Sequence, residues 1–369
     1  IAAFVKSVHK HFPHVFLHWE DFGRGNARRL LDYYENKLCS FNDDIQGTGA
    51  VTLAAVLAAC TVIGKALPHH RIVVFGAGSA GTGIADQLVD ALLLLGLTKK
   101  EAYQCFWLVD KQGLLLELDS TLTEAQRPYA RSHTEFSSQH PLSLKETVEQ
   151  VKPTILIGCS AQPGAFSQEI VQIMAANCEQ PIIFPLSNPD EKCEAKPKDL
   201  LIWTHGKALI ATGTRFSPVP YNGYLVEITQ CNNALVFPGI GLGLIAIGAK
   251  KLSKGMIFAA AQTLSAHSPR TLYRTKENKE GDFLPLLPSL NVAQSVAKQI
   301  AIAVAKVAID EQLAQKNQTV DLVQLIDKLF WQPKYYPFRR KRMTATKCSI
   351  KDLAEIKIDS DVNKNGIDA

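Results

Sequence analysis

The chain of 369 residues is long enough for two domains or one large one, and 46% hydrophobic with 20% charged residues is a globular composition. A net charge of +5 is spread thinly, with basic knots only at His9-Lys10-His11, Lys99-Lys100 and Arg339-Arg340-Lys341-Arg342, so a nucleic-acid partner is not expected. The longest apolar stretches, 50–60 and 91–97, are too short to span a bilayer. No signal peptide is visible, and eight cysteines without a CxxC or disulfide-like spacing favour a reducing, cytoplasmic setting with no membrane partner.

In chain order, residues 1–41 read as the end of a domain that begins before this sequence. The chain opens at Ile1, in mid-pattern and without an initiator Met, as a fragment would. Residues 15–19 form a short buried strand with Glu20-Asp21 at its carboxyl end. Residues 42–231 form a dinucleotide-binding domain that opens on a buried helix of small and apolar residues, 47–65. A strand at 71–75 runs through Gly76-Ala77-Gly78-Ser79-Ala80-Gly81 into a helix ending near Leu95. Further strands are expected at 106–110, 153–159, 181–186 and 208–212, with helices at 143–151 and 167–177. Strands separated by helices of this length predict an α/β fold, a doubly wound parallel Rossmann-type sheet with flanking helices, beside part of a second α/β domain.

From Asn232 the pattern turns wholly helical. Helices at 240–249, 254–266 and 291–308 make a 232–308 segment read as returning to the first domain. A helix from Thr319 to about Phe330 and the aromatic stretch 331–338 form a C-terminal cap, 309–343. Residues 344–369 read as a polar, weakly ordered tail. Within it, 361–366 imitates the opening of a calcium loop, but Ala369 comes before the bidentate acid such a loop needs.

The chemistry concentrates in a few places. Phe41-Asn42-Asp43-Asp44-Ile45-Gln46-Gly47-Thr48 sets two carboxylates at the foot of the long apolar helix. Capping needs only Asn42 or one acid, so the second asks for another role. Glu20-Asp21 sits at a strand end, and open α/β sheets gather ligands at that edge. Carboxylates gathered there repel unless a cation lies among them. An all-oxygen set with no His or Cys nearby suits Mg²⁺ or Mn²⁺ better than zinc. Taken alone, the acidic pairs are as consistent with helix caps as with metal ligands. Successive side chains of an extended segment point opposite ways, so Asp43 and Asp44 are expected to face different partners.

In the glycine turn, Gly76 makes the turn, Gly78 lets a pyrophosphate approach, and Gly81 brings helix and strand together. The helix start at Ser79 and Ala80 then faces the phosphates. Asp110, ending the next strand, can accept from the adenosine ribose of NAD and would repel the 2′-phosphate of NADP. Asn188, before Pro189, and Asn232-Asn233 offer amides to a carboxamide or a substrate; they serve equally well as turn-makers and caps.

Glu20-Asp21-Phe22, the 41–48 block, the glycine turn, Leu186-Ser187-Asn188-Pro189, and Gln230-Cys231-Asn232-Asn233 with Phe237-Pro238-Gly239 follow one another in the order of the malic enzyme family, which this chain resembles from about 16 to 340. The resemblance implies oxidative decarboxylation of (S)-malate to pyruvate and CO₂ with reduction of NAD, dependent on Mg²⁺ or Mn²⁺. It implies Glu20, Asp21 and Asp44 as metal ligands and Asp43 as a catalytic residue orienting the family's lysine. Gly76, Gly78, Ser79, Ala80, Gly81, Asp110 and Asn188 become cofactor contacts, and Asn188, Asn232 and Asn233 substrate contacts. NADP-using members carry Lys where Gln112 stands and another near Gln126, so both glutamines agree with NAD. A homodimer or homotetramer is expected from the family.

The chain departs from the family in one respect. The tyrosine acid and lysine base precede the Glu-Asp pair in malic enzymes, and none of the nineteen residues before Glu20 matches them. The expectation is a chain that binds dinucleotide and metal but turns malate over poorly or not at all by itself. Two other readings stand beside it: malolactic enzyme, which makes lactate from malate, and a non-catalytic dinucleotide-binding module. Intact Glu20, Asp21 and Asp44 argue against the module.

Overall fold

A computed structural model describes residues 1–23, 25–136, 140–273, 283–315 and 321–338. Ile1–Phe330 make one compact unit. The second begins at Trp331, and its described part, Trp331–Phe338, has no helix or strand. The basic knot at 339–342, Cys348, the 344–369 tail and the 361–366 segment lie outside the described residues.

The fold opens with α1 (Ala2–His11), which buries none of its residues. β1 (Leu17–Trp19), α2 (Asn26–Tyr34) and β2 (Ser40–Asn42) follow, and β1 pairs with β2 in parallel, Trp19 opposite Asn42. One π-helical turn, Asp43–Gly47, leads into α3 (Thr48–Ile63), which Gly64 closes in the left-handed region at φ 74°. The alternating part then begins: β3 (Ile72–Phe75), α4 (Ser79–Leu94), α5 (Lys99–Gln104), β4 (Phe106–Asp110), β5 (Gly113–Leu114), α6 (Leu144–Val151), β6 (Ile155–Gly158), α7 (Gln168–Asn177), β7 (Ile182–Pro185), α8 (Pro197–Trp203) and β8 (Leu209–Thr212). Thr98 with Glu101 and Ser143 with Glu146 form capping boxes that start α5 and α6. A hairpin, β9 (Val219–Tyr221) and β10 (Tyr224–Val226), turns on Asn222-Gly223 before β11 (Thr229–Gln230). The elements described after it are helices: α9 (Phe237–Ile247), α10 (Lys254–Ala266), α11 (Pro269–Tyr273), α12 (Ala293–Asp310) and α13 (Leu322–Leu329).

The main sheet has seven strands in the order β11-β8-β7-β6-β3-β4-β5, every pairing parallel except β4–β5. Period-two alternation divides its core. Ile72, Val74, Phe106, Leu108, Ile155 and Ile157 pack with α3, α4, α9, α10 and α12 on one face. Val73, Phe75, Trp107, Val109 and Leu156 pack with α6, α7 and α8 on the other. Both faces are covered, which is why the strands read as unbroken apolar runs. Fully burying each such side chain contributes about 1.5–3 kcal/mol.

One expectation needs correction. The helical run Asp43–Ile63 is 21 residues and apolar enough to cross a membrane by length and composition, and so is Leu290–Asp310. The first is 78% buried inside the protein, packed on α4 and α10, which identifies it as a core helix.

Candidate active site

β3 lies between β4 and β6, so the chain leaves β3 toward one side of the sheet and returns to the other. That reversal opens a crevice at the carboxyl ends of β3 and β6, the place where open α/β sheets bind ligands. The glycine turn stands there. Gly76 has φ 97°, and a Cβ on it would meet the backbone of Cys159 and Ser160, which follow β6. A Cβ on Gly81 would collide with the Gly76 carbonyl, whereas Gly78, capping α4, faces open space. Ser79 and Ala80 are the first residues of that helix. Asp110 at the end of β4 accepts from its neighbour Lys111 N–H at 3.0 Å and from Gln126 Nε2 at 3.2 Å. Gln126 Nε2 also donates to the Ala77 carbonyl at 3.0 Å, so one buried amide joins the turn to Asp110. Gln112 points instead to Asp119 at 3.5 Å. Asp110, Lys111, Gln112, His140 and Gln162 line a cavity of about 400 Å³ beside them.

The parallel β1–β2 pair builds the acidic cluster. Because Trp19 stands opposite Asn42, Glu20-Asp21 and Asp43-Asp44 leave the two strands side by side. Asp21 has φ 57°, a left-handed conformation that Asp tolerates, and this kink breaks the alternation that would aim Glu20 and Asp21 apart. Ligand atoms of Glu20, Asp21 and Asp44 come within 4.8 Å of one another, as do those of His18, Glu20 and Asp43. The cluster is therefore not all-oxygen, as the sequence reading had it: His18 Nε2 is 3.0 Å from Glu20 Oε2. His18 lies two residues before Glu20 on the same strand, and that spacing was the signal available.

The π turn at Asp43–Gly47 is held by its neighbours. Asn42 Oδ1 accepts from Ile45 N–H, and Gln46 Oε1 accepts from Asn42 N–H, both at 3.0 Å. A Cβ on Gly47 would collide with Asp43 Oδ1. Asn233 Nδ2 donates to Asp43 Oδ2 at 2.9 Å, to its carbonyl at 3.2 Å and to Thr48 Oγ1 at 3.3 Å. Burial, reinforced by Glu20 and opposed by the Asn233 hydrogen bond, pushes the Asp43 carboxyl up to about 6. Burial also raises Asp44, with Asp21 and Asp43 adding to it and the N–H groups of Phe22 and Asp21 opposing it. Two buried carboxylate oxygens, Asp43 Oδ1 and Asp44 Oδ2, have no hydrogen-bond partner.

A cavity of about 460 Å³ joins this cluster to the sheet edge, lined by Glu20, Asp43, Thr48, Asn188, Asn232 and Asn233 among others. Asn188 stands just past β7 and is joined to Pro189 by a cis bond, and its Oδ1 lies against Gly213. Asn232 Oδ1 caps the short turn that follows by accepting from Ala234 N–H at 2.9 Å. Asn232 thus takes the capping role while its cavity-side position remains, and Asn233 reaches Asp43. Beside the site stands Glu194, bonded to Ser187, with nothing in the sequence to set it apart from the acidic stretch that it ends. It is fully buried at the carboxyl ends of β6 and β7.

The family model described as "Malic enzyme, NAD binding domain" matches residues 45–309. NAD-dependent malic enzyme 3 of Bacillus subtilis is 44% identical over 345 residues, covering 92% of this chain and 59% of that protein. The NAD-dependent malic enzyme of Shewanella sp. (strain MR-4) is 44% identical over 344 residues, covering 92% and 60%. The chain thus spans about 60% of the length of these curated relatives. Among solved structures, the malic enzymes of Entamoeba histolytica (TM-score 0.68, 22% identity, 89% of this chain and 61% of that one) and Pyrococcus horikoshii (0.67, 24%, 89% and 68%) share the fold. With a family model over most of its length, the chain belongs to the malic enzyme family.

Proposed function

We propose that this chain is the metal- and dinucleotide-holding portion of an NAD-dependent malic enzyme, acting in the oxidative decarboxylation of (S)-malate to pyruvate and CO₂. The observation that carries the reading is the parallel β1–β2 register. It sets both acidic pairs around one point and leaves Glu20 and Asp43 on the cavity that Asn188, Asn232 and Asn233 line. A divalent cation fits these residues, since crowded carboxylates with two partnerless buried oxygens are unfavourable without one. Glu20, Asp21 and Asp44 would hold Mg²⁺ or Mn²⁺, with His18 beside Glu20. A dinucleotide fits the open space at Gly78, with Gly76, Ser79, Ala80 and Gly81 shaping the phosphate end, Asp110 the adenosine ribose and Asn188 the nicotinamide end. Once bound, the cation supplies a Lewis acid and the dinucleotide a hydride acceptor.

The chain's own residues orient and exclude. Asn233 clamps Asp43 through Oδ2, so the carboxyl presents a fixed face to the group it orients. Asn232 commits its Oδ1 to the turn, which frees its amide N–H groups for a substrate carboxylate. Asp110, tied to Gln126, disfavours a 2′-phosphate. The division at 41, 231, 308 and 343, a homodimer or homotetramer and a cytoplasmic setting belong to the same proposal. The test is calorimetric titration of the chain with NAD⁺ and NADP⁺, with and without Mn²⁺, alongside Glu20→Gln. Tighter binding of NAD⁺ and a Mn²⁺ site weakened by Glu20→Gln are expected. Failure of the native chain to bind either dinucleotide would overturn the reading.

A further inference from the structure

Glu194 accepts hydrogen bonds from two loops at once. Its Oε1 takes Ser160 N–H and Ser160 Oγ–H, both at 2.8 Å, together with Ser187 Oγ–H, and its Oε2 takes Ser187 N–H at 3.4 Å. The two serine hydroxyls pass the order on. Ser187 Oγ accepts from Ala161 N–H at 2.8 Å, and Ser160 Oγ accepts from Gln162 N–H at 3.1 Å. Each bond runs in one direction, donors inward to the carboxylate and backbone N–H groups inward to the hydroxyls, so none competes with another. The backbone is shaped to admit the group: a Cβ on Gly158 would lie 2.5 Å from Glu194 Cδ and 2.7 Å from its Oε2.

The two loops so joined are those that matter for a bound dinucleotide. Ser160 belongs to the wall against which Gly76 turns, at the reversal of the sheet between β3 and β6. Ser187 immediately precedes Asn188, which lines the cavity shared with the acidic cluster. A fully buried carboxylate is costly unless it is well supplied with donors, and here the donors among the described residues come from the loops after β6 and β7.

We infer that Glu194 is a positioning residue: acting through Ser187 and Ser160, it holds Asn188 and the loop after β6 in register for the nicotinamide half of the dinucleotide. The inference rests on the dinucleotide reading above. It separates the two halves of the ligand, because Asp110 and the glycine turn are tied to each other by Gln126 and not by Glu194.

Titration of the native chain, Glu194→Gln and Ser187→Ala with NAD⁺ and with ADP tests it. ADP carries the adenosine and both phosphates but no nicotinamide ribose. Both variants are expected to raise the Kd for NAD⁺ about tenfold, the scale of one lost buried hydrogen bond, and to leave that for ADP within about twofold. Ser187→Ala removes the hydroxyl that joins Glu194 to Ala161 N–H without altering the buried charge, so the inference stands or falls on it if Glu194→Gln does not fold. Equal weakening of NAD⁺ and ADP, or unchanged NAD⁺ binding, would overturn it. A native chain that binds ADP and not NAD⁺ would also refute it, and one that binds neither would refute the dinucleotide reading and this inference together.

Discussion

At Asp44 two demands oppose each other. Its carboxylate stands among Asp21, Glu20 and Asp43, and one of its buried oxygens has no donor. Without a cation, the folded chain bears that repulsion; with one, the same charges become ligands. Asp44→Asn is therefore expected to stabilise the metal-free chain while weakening Mn²⁺ at least about tenfold. Thermal unfolding without metal and a Mn²⁺ titration read the two effects, and a variant destabilised without metal would count against the crowding. At this scale the sequence showed the acids but not their company. Glu20, Asp21, Asp43 and Asp44 stand out as pairs beside apolar runs. His18 has only its spacing of two residues from Glu20 to mark it, and Glu194 has no local mark, because Ser160, which it holds, stands 34 residues earlier in the chain.

Among the elements, β3 and β6 are fastened at their amino ends by His70. Its ring is buried, with Nδ1 2.9 Å from Thr154 Oγ1 and Nε2 3.2 Å from the Lys65 carbonyl, and Thr154 Oγ1 also accepts from Arg71 N–H at 3.1 Å. Burial is the main cause of its pKa falling from 6.5 to about 4. A folded-state value below the unfolded one contributes stability that is present above about pH 6.5 and is lost as pH falls through about 4. The loss attributable to this group is on the order of 2–3 kcal/mol. His70→Gln should show a smaller decline in urea midpoint between pH 7 and pH 4.5 than the native chain; equal declines would remove His70 as the cause. The strands it joins were legible because a sheet covered on both faces is written as short unbroken apolar runs, and the helices between them carry capping residues at Thr98, Ser143 and Ser167. α1 buries nothing and so leaves no core stripe to find. The β9–β10 hairpin did carry a local sign, Asn222-Gly223, both with positive φ, and was missed for want of apolar alternation around it.

Across the whole Ile1–Phe330 unit, α4 is the hub that joins nucleotide turn, acidic cluster and helical layer. Its first turn follows Gly78, Arg28 of α2 reaches its Asp86 at 2.6 Å, Tyr129 donates to the same carboxylate at 2.7 Å, and Lys254 of α10 reaches Asp90 at 2.8 Å. A ligand seated on the turn therefore bears on the global folding equilibrium and not on a frayed edge. NAD⁺ at a hundred times its Kd should add about 2.7 kcal/mol to unfolding, seen as a midpoint that climbs with the logarithm of its concentration. A midpoint indifferent to NAD⁺ would mean that the turn unfolds separately from the rest.

The three-rung β1–β2 ladder also sets what kinds of inheritance the chain can tolerate. Its two strands are joined by a connection that includes α2 and exposed residues such as Glu35, Asn36 and Lys37, where gained or lost residues can bulge outward. A single residue gained between Trp19 and Asp21, or between Asn42 and Asp44, would shift one acidic pair past the other and turn its side chains away. Descendants of this sequence should vary in length on one side of that ladder and keep their spacing to the residue on the other.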